Sequence, residues 1–211
     1  MKNIFLLLLL FLTGLAVGSR AQIITTIAGT GVAGNTGDGG PAINAKIRGP
    51  IGICCDKKGI IYFSDDSYKI KKISSTGILS TFAGTGFPGY SGDGGSATDA
   101  QIYGCVGIVA DKTGNIYFSD FNEHVIRKID TAGIITTIAG IGSLGFGGDG
   151  GPATDATLHA PGFLTIDRKG NIYFSDITNN RIRKINTAGI ITTFAGTGAT
   201  GYNGDGIPAT D

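Results

Sequence analysis

Four short runs of apolar residues, separated by polar turns, recur along the chain at a nearly constant interval. In the copy nearest the C-terminus these runs predict strands over Phe163 to Asp167, Asn171 to Asp176, Arg181 to Asn186 and Ile190 to Ala195. Ile, Thr, Tyr, Phe and Val dominate the runs, as they do in strands, and glycine-containing turns separate them. Each repeat therefore predicts one four-stranded sheet.

The length of the repeat is set by a Gly-Asp-Gly motif. Its aspartates are 55, 56 and 56 residues apart, at Asp38, Asp93, Asp149 and Asp205. The first interval is shorter because one residue is missing between Asp65 and Ile73. A turn tolerates such a change and a strand does not, since a slip inside a strand moves every later side chain to the other face. The sequence therefore predicts a turn just after Asp65.

The second strand of each sheet is apolar on both faces, as in Ile172-Tyr173-Phe174. This is typical of a sheet that is packed on both sides. Repeats of this length bury their sheets only by stacking on one another, and radial stacking of four-stranded sheets makes a β-propeller. The fold class is therefore predicted as an all-β propeller with about three blades.

Three motifs of the repeat resemble the NHL repeat. They are Gly-Asn-Ile-Tyr-Phe-Ser-Asp, Asn-Asn-Arg-Ile-Arg-Lys-Ile and Gly-Ile-Ile-Thr-Thr-Phe-Ala-Gly-Thr-Gly, which begin at Gly170, Asn179 and Gly189. A Gly-Asp-Gly-Gly-Pro-Ala-Thr loop, as at Gly148, is similar to the long form of that repeat. The resemblance covers essentially all of the chain after residue 21. It implies a propeller of the kind shared with gluconolactonase-like proteins, usually six-bladed, and it implies binding or scaffolding more often than catalysis.

The first 21 residues predict a signal peptide. Lys2 precedes an apolar stretch from Ile4 to Val17, and Ser19-Arg20-Ala21 is a cleavage site of small residues. The mature chain is expected to be secreted, periplasmic or on the cell surface, with no membrane insertion. Removing Lys2 and Arg20 from 17 basic residues leaves 15 against 16 acidic ones, a net charge of −1. This charge gives no electrostatic reason to expect nucleic acid as a partner.

Residues 22–211 are predicted to form a partial propeller. Residues 22–48 supply an outer strand, Gln22 to Ala28, and a loop; the blades cover 49–103, 104–159 and 160–211. The outer strand would complete a last blade that lies after Asp211, so the chain is interpreted as a fragment of a six-bladed ring. We expect an open arc with two bare sheet faces, whose partners are the missing C-terminal blades or another domain.

The aspartates are the main candidate site residues. Carboxylates in glycine-rich loops are ligands that Ca²⁺ accepts, but one carboxylate between glycines is also what an ordinary Asp-Gly turn contains. The turn is the preferred interpretation and calcium the alternative, for Asp38, Asp93, Asp149 and Asp205. A second set ends the second strand of each blade and is predicted to support the following turn: Asp65, Asp120 and Asp176.

Other motifs have structural interpretations. The Ala-Gly-Thr-Gly loops lack the helix and lysine of a phosphate site, so no cofactor site is predicted. The basic third strands, such as Arg181 to Lys184, are expected to pair with aspartates. His124 and His159 occupy unrelated positions and predict no zinc site. Cys54, Cys55 and Cys105 are an odd number and are predicted to be buried thiols, with a Cys105–Cys54 disulfide as the alternative.

The sequence favours an interaction module that binds a protein or a surface glycan. The alternative is a fragment of an enzyme of the lactonase or lyase type, whose active-site residues lie partly in missing blades. The mouths of the innermost strands carry no charged residue, so no catalytic residue is predicted: Gly49-Pro50-Ile51, Gly104-Cys105-Val106 and Ala160-Pro161-Gly162.

Overall fold

A computed structural model describes residues 23–202 and 204–211, and the predicted signal peptide lies outside them. The described chain folds into three four-stranded antiparallel sheets, so the predicted all-β propeller with three blades is confirmed. Blade 1 contains β1 (Ile53–Cys55), β2 (Ile61–Asp65), β3 (Lys69–Ile73) and β4 (Leu79–Ala83). Blade 2 contains β5 (Cys105–Ala110), β6 (Ile116–Asp120), β7 (Val125–Ile129) and β8 (Ile135–Ala139). Blade 3 contains β9 (Pro161–Ile166), β10 (Ile172–Asp176), β11 (Arg181–Ile185) and β12 (Ile191–Ala195).

Short 3₁₀ helices connect the strands. One lies in the long loop that precedes each blade: Ala42–Asn44, Ala97–Asp99 and Ala153–Asp155. Phe121–Glu123 and Ile177–Asn179 form two more, between the second and third strands of blades 2 and 3. In blade 1 the corresponding connection is the shorter turn Asp66 to Tyr68. The missing residue therefore lies in a turn, as predicted.

The hydrophobic core consists of layers between neighbouring blades. Between blades 1 and 2, Tyr62 and Ile70 pack against Ile108 and Phe118. The same positions of blades 2 and 3 form the next layer, which contains Ile126 and Phe174. Every layer also contains two alanines of the intervening 3₁₀ loop, such as Ala97 and Ala100.

The faces at the two ends of the array differ. On the outer face of blade 3, Ile182 is 38% exposed. Ile126, the equivalent residue of blade 2, is fully buried because blade 3 packs on it. This confirms one bare face. On the outer face of blade 1, Phe63 and Ile73 are buried because the preceding loop packs on them through Ala42 and Ala45. That face is therefore partly covered by its own chain, with Ile53 left exposed.

Residues 23–28 form no strand, although the pattern predicts one from Gln22 to Ala28. Gln22 lies outside the described residues. The backbone after this segment is nevertheless arranged as it is after β4 and β8. The Gly29 N–H donates to the Ala42 carbonyl, as Gly84 does to Ala97 and Gly140 to Ala153, each at 2.9 Å. The segment thus holds the position of an outer strand without a neighbouring strand among the described residues, so no sheet hydrogen bonds form.

The described part of the chain contains no helix with the length and apolar character that a membrane span needs.

Candidate functional site

The Gly-Asp-Gly loops join each blade to the one before it. The loop after β4 packs along β8 of the next blade, where the Gly94 N–H donates to Ile135 O and the Ile135 N–H donates to Gly95 O, at 2.8 and 3.0 Å. This places the Asp93 carboxylate against blade 2. There it accepts hydrogen bonds from Arg127 Nη2 at 2.6 Å and from the Thr137 N–H at 2.8 Å.

The other two loops repeat this arrangement, which we call the clamp. Asp149 accepts a hydrogen bond from Arg183 Nη2 at 2.7 Å. Asp38 accepts hydrogen bonds from Lys71 Nζ at 2.9 Å and from the Thr81 N–H at 3.0 Å. In each clamp the carboxylate comes from a loop, and its cationic partner comes from the third strand of the following blade.

The two arginines also bind the aspartates that end the second strands. Arg127 Nη1 is 3.4 Å from Asp120, and Arg183 Nη1 is 3.1 Å from Asp176. The guanidinium and the strand-end carboxylate are completely buried in both blades. Each arginine therefore links one loop carboxylate and one strand carboxylate.

The strand-end aspartates support the fold, but only Asp65 does so through the turn that follows it. Asp65 accepts a hydrogen bond from the Ser67 N–H at 3.0 Å. Asp120 and Asp176 instead accept the N–H groups of Tyr103 and His159, both at 2.8 Å. These two aspartates thus hold the segment that leads into the innermost strand of their own blade, Tyr103 before β5 and His159 before β9.

The clamp changes the acidity of its carboxyl groups. Burial acts to raise the pKa of Asp93, but hydrogen bonds from Thr137 and Arg127 lower it below the ordinary value. The pKa values of Asp38 and Asp149 are lowered in the same way, against burial, by their threonine and basic partners. Burial raises the pKa of Asp120 to about 6, although the Tyr103 N–H and Arg127 oppose this shift. Asp120 is thus the one of these four carboxyl groups whose pKa is raised above its ordinary value.

An aromatic ring lies against each arginine. The guanidinium carbon of Arg127 is 5.0 Å from the centre of the Tyr90 ring, and that of Arg183 is 4.8 Å from Phe146. Asn35 occupies this position of the loop in the clamp that contains Lys71. The sequence predicted that aspartate and arginine pair between or along blades, but as exposed pairs. The structure instead buries both arginines, and an aromatic ring covers each of them.

The loop aspartates predicted as alternative calcium ligands therefore have basic side chains as partners in three of four cases. Among the described residues, no group of three or more His, Cys, Asp and Glu side chains is arranged to hold a metal ion. Asp205, in the fourth loop, is exposed and hydrogen-bonds Tyr202, which raises the pKa of that phenol.

A row of side chains covers the end of the blades where the innermost strands begin. We call it the mouth face, and it consists of Tyr68, Tyr103, His124, His159 and Asn180. The rings of Tyr68 and Tyr103 meet edge to face between blades 1 and 2, with their centres 5.8 Å apart. His124 and His159 meet in the same way between blades 2 and 3, at 5.4 Å.

The prediction that the two histidines are unrelated was wrong. The signal that could have paired them is the repeat itself, because Tyr68 and Tyr103 are 35 residues apart, as are His124 and His159. Beneath this row, a glycine follows each outer strand for a steric reason. A Cβ on Gly140 would collide with the carbonyl of His124, and φ is +91° there.

The cysteines are free thiols, so the alternative disulfide between Cys105 and Cys54 is not formed. Cys105 is buried and Cys54 half-buried; burial raises the pKa of both, to about 12 for Cys54. Cys55 is exposed, which corrects its predicted burial. Its side chain lines an open cavity at the end of the innermost strands, together with Ala110 and Ile166.

Comparison with known proteins identifies the family of this repeat. A profile of the teneurin NHL domain matches residues 26–89, 87–146 and 142–203. The chain belongs to the teneurin NHL domain family. Human teneurin-1 is 29% identical to it over 196 residues, which cover 85% of this chain and 7% of teneurin-1. This NHL chain thus spans a small part of the length of the curated relatives it matches.

Solved structures show the same fold at low sequence identity. An auxiliary nutrient-binding protein from Bacteroides ovatus has a TM-score of 0.55 and 21% identity, over 72% of this chain and 37% of that one. A gluconolactonase from Xanthomonas campestris has a TM-score of 0.51 and 13% identity, over 71% of this chain and 48% of that one. Both comparisons concern the fold alone.

Proposed function

We propose that this chain is an exported NHL-propeller module that binds a protein or a surface glycan through its mouth face. One observation carries the proposal: the mouth face differs from blade to blade, whereas every blade keeps a clamp between a loop aspartate and a basic residue of its third strand. The position just before the third strand is Tyr68 in blade 1, His124 in blade 2 and Asn180 in blade 3. A constant frame that presents different side chains suits selective recognition better than a purely structural repeat does.

The chemistry of the mouth face also favours binding. Tyr103 is 39% exposed, and tyrosine supplies contact area together with a polar group at small cost in conformational entropy. Export rests on the predicted signal peptide, and a location outside the cell would place this face where proteins and glycans are accessible. Further blades or another domain, as in a longer chain, would extend the surface.

The test uses two exposed positions at opposite ends of the blades. Fluorescently labelled protein is applied to cultured cells, untreated or pretreated with protease or with glycosidases. Tyr103→Ala should weaken binding at least about five-fold, as expected for a contact that contributes about 1 kcal/mol. Lys112→Ala, in the exposed turn between β5 and β6, should leave binding unchanged.

The pretreatments separate the two ligand classes, since protease removes a protein ligand and glycosidase a glycan. Equal losses for both variants, or no binding to any cell, would contradict the proposal.

The second candidate is an enzyme of the lactonase or lyase type. The fold similarity to a gluconolactonase favours it. In the three blades described, however, the strand mouths carry glycine, proline, cysteine and aliphatic residues, so an active site would need residues outside them. Lactone hydrolysis by the purified chain above the buffer rate would support this candidate.

A further inference from the structure

The contact between His124 and His159 joins two blades through a hydrogen bond that depends on protonation. His124 ends the turn between β6 and β7 with φ of +57°. His159 comes two residues before β9 of the next blade. Their rings are nearly perpendicular, at 87°. The contact therefore bridges the mouth face between blades 2 and 3.

The backbone N–H of Ala160 donates a hydrogen bond to His124 Nδ1, over 3.1 Å. An imidazole nitrogen accepts a hydrogen bond only when it carries no proton, so His124 must be neutral here, with its proton on Nε2. Ala160 has φ of +55°, which is unfavourable for a residue with a Cβ. The hydrogen bond thus helps to hold a strained residue at the start of the innermost strand.

We propose that His124 is a pH switch whose protonation releases Ala160 and loosens the mouth-face contact between blades 2 and 3. A proton on Nδ1 would turn this nitrogen into a donor that faces the Ala160 N–H. The hydrogen bond between them would then be lost. The proton would also place a cation beside the His159 ring, whose centre is 5.4 Å from that of His124. This inference concerns the junction of the blades and does not depend on the proposed ligand.

The charges around His124 act in both directions. Partial burial lowers the pKa of His124 first, and His159 lowers it further, whereas Glu123 and Asp176 raise it. The net shift is downward from the ordinary value near 6.5. The unfolded chain then binds the proton at a higher pH than the folded chain. Stability contributed by neutral His124 is therefore complete above the ordinary pKa and is lost as the pH falls toward the lowered value.

The junction between blades 1 and 2 provides an internal control. Tyr68 and Tyr103 occupy the equivalent positions and meet edge to face, so this junction contains no imidazole. Acidification should therefore act on the second junction and leave the first unchanged. Asn180, the equivalent residue of blade 3, has φ of +51°, so asparagine is tolerated at this position. His124→Asn is thus the matched variant that removes the titrating group.

The experiment is a pH titration of the ¹⁵N-labelled full chain by NMR. At about pH 7.5 the imidazole ¹⁵N shifts of His124 should show the proton on Nε2. The Ala160 amide signal should move with a midpoint below about 6.5. Its exchange with solvent, corrected for the intrinsic rate, should speed up at least about ten-fold across the transition. His124→Asn should abolish both responses, and His159→Gln should raise the midpoint.

Three results would overturn the proposal. They are a proton on Nδ1 of His124 at pH 7.5, an Ala160 amide that does not titrate, and a titration that survives in His124→Asn. The first two need only the unmodified chain, so they hold even where the variant does not fold.

Discussion

The clamp before blade 1 and the clamp before blade 2 occupy equivalent places and use different chemistry. Before blade 2, the five N–H donors of Arg127 all have partners, which include Asp93 and Asp120. Before blade 1, Lys71 reaches Asp38 and Thr81, and Asp38 is its only carboxylate among the described residues. Tyr90 of the loop lies against Arg127 before blade 2, whereas Asn35 occupies the equivalent position before blade 1.

The difference teaches what the arginine adds. A planar guanidinium can bind two acidic groups and stack on a ring at once, whereas an ammonium group acts as a single point of charge. In blade 1, Asp65 instead accepts a hydrogen bond from Ser67 in the turn that follows it. Arginine therefore links the loop, the second strand and the third strand, whereas Lys71 links the loop to the third and fourth strands and makes no ion pair with the strand-end Asp65.

The largest effect is expected when the arginine of this unit is removed. Arg127→Met should lower the free energy of unfolding by about 3–5 kcal/mol, because Asp93 and Asp120 lose their cation and Asp120 is completely buried. Urea unfolding of the purified chain measures this change. Adding Asp93→Asn and Asp120→Asn to the same chain should recover part of the loss. A loss below about 1 kcal/mol would contradict the role given to Arg127.

A smaller loss is expected at the lysine clamp. Lys71→Met should cost about 1–3 kcal/mol, since Asp38 keeps the Thr81 hydrogen bonds and its side chain is 41% exposed. The same urea measurement applies. A loss as large as that of Arg127→Met would show that the two clamps are energetically equivalent.

The pH dependence of stability should reflect Asp120. The pKa of Asp120 is higher in the folded chain than in the unfolded chain, so the folded state keeps its proton to a higher pH. The free energy of unfolding should therefore fall as the pH rises from about 4 to about 6. Asp120→Asn should remove this component, with a change of slope of at most about 1.4 kcal/mol per pH unit. Thermal melts across this range test the prediction, and unchanged slopes would contradict it.

The aromatic ring over the arginine should contribute less. Tyr90→Ala is expected to cost about 0.5–1 kcal/mol through loss of the cation–π contact with Arg127. Asn35→Ala, at the equivalent position of the lysine clamp, is the matched control and should have a smaller effect. Equal effects would mean that the ring serves only to fill space.

Removal of divalent cations should have the smallest effect. The carboxylates of Asp38, Asp93 and Asp149 already accept hydrogen bonds from basic side chains, so calcium would have to displace them. We expect the melting temperature to be the same with and without chelator. A fall of several degrees with chelator would favour calcium in the Gly-Asp-Gly loops.

The repeat predicted the fold well because the succession of apolar runs and glycine turns is visible within one copy and recurs in every copy. Strands such as Ile172–Asp176 follow from apolar runs between glycine turns. The sequence predicted pairing of aspartate with arginine between or along blades, but not which residues pair, since Asp93 and Arg127 are 34 residues apart and lie in different repeats. The pairing of His124 with His159 was missed for the same reason, because neither residue shows from its own surroundings which blade it faces.

The most direct test of the clamp is a pair of double-mutant cycles, one for Asp93 with Arg127 and one for Asp38 with Lys71. Each cycle measures the interaction free energy from urea unfolding of the Asp→Asn and basic→Met variants, alone and combined. If arginine unifies the blade as the structure indicates, the Asp93–Arg127 coupling should exceed the Asp38–Lys71 coupling by about 1 kcal/mol or more. Equal couplings, or a larger coupling for the lysine pair, would contradict this account.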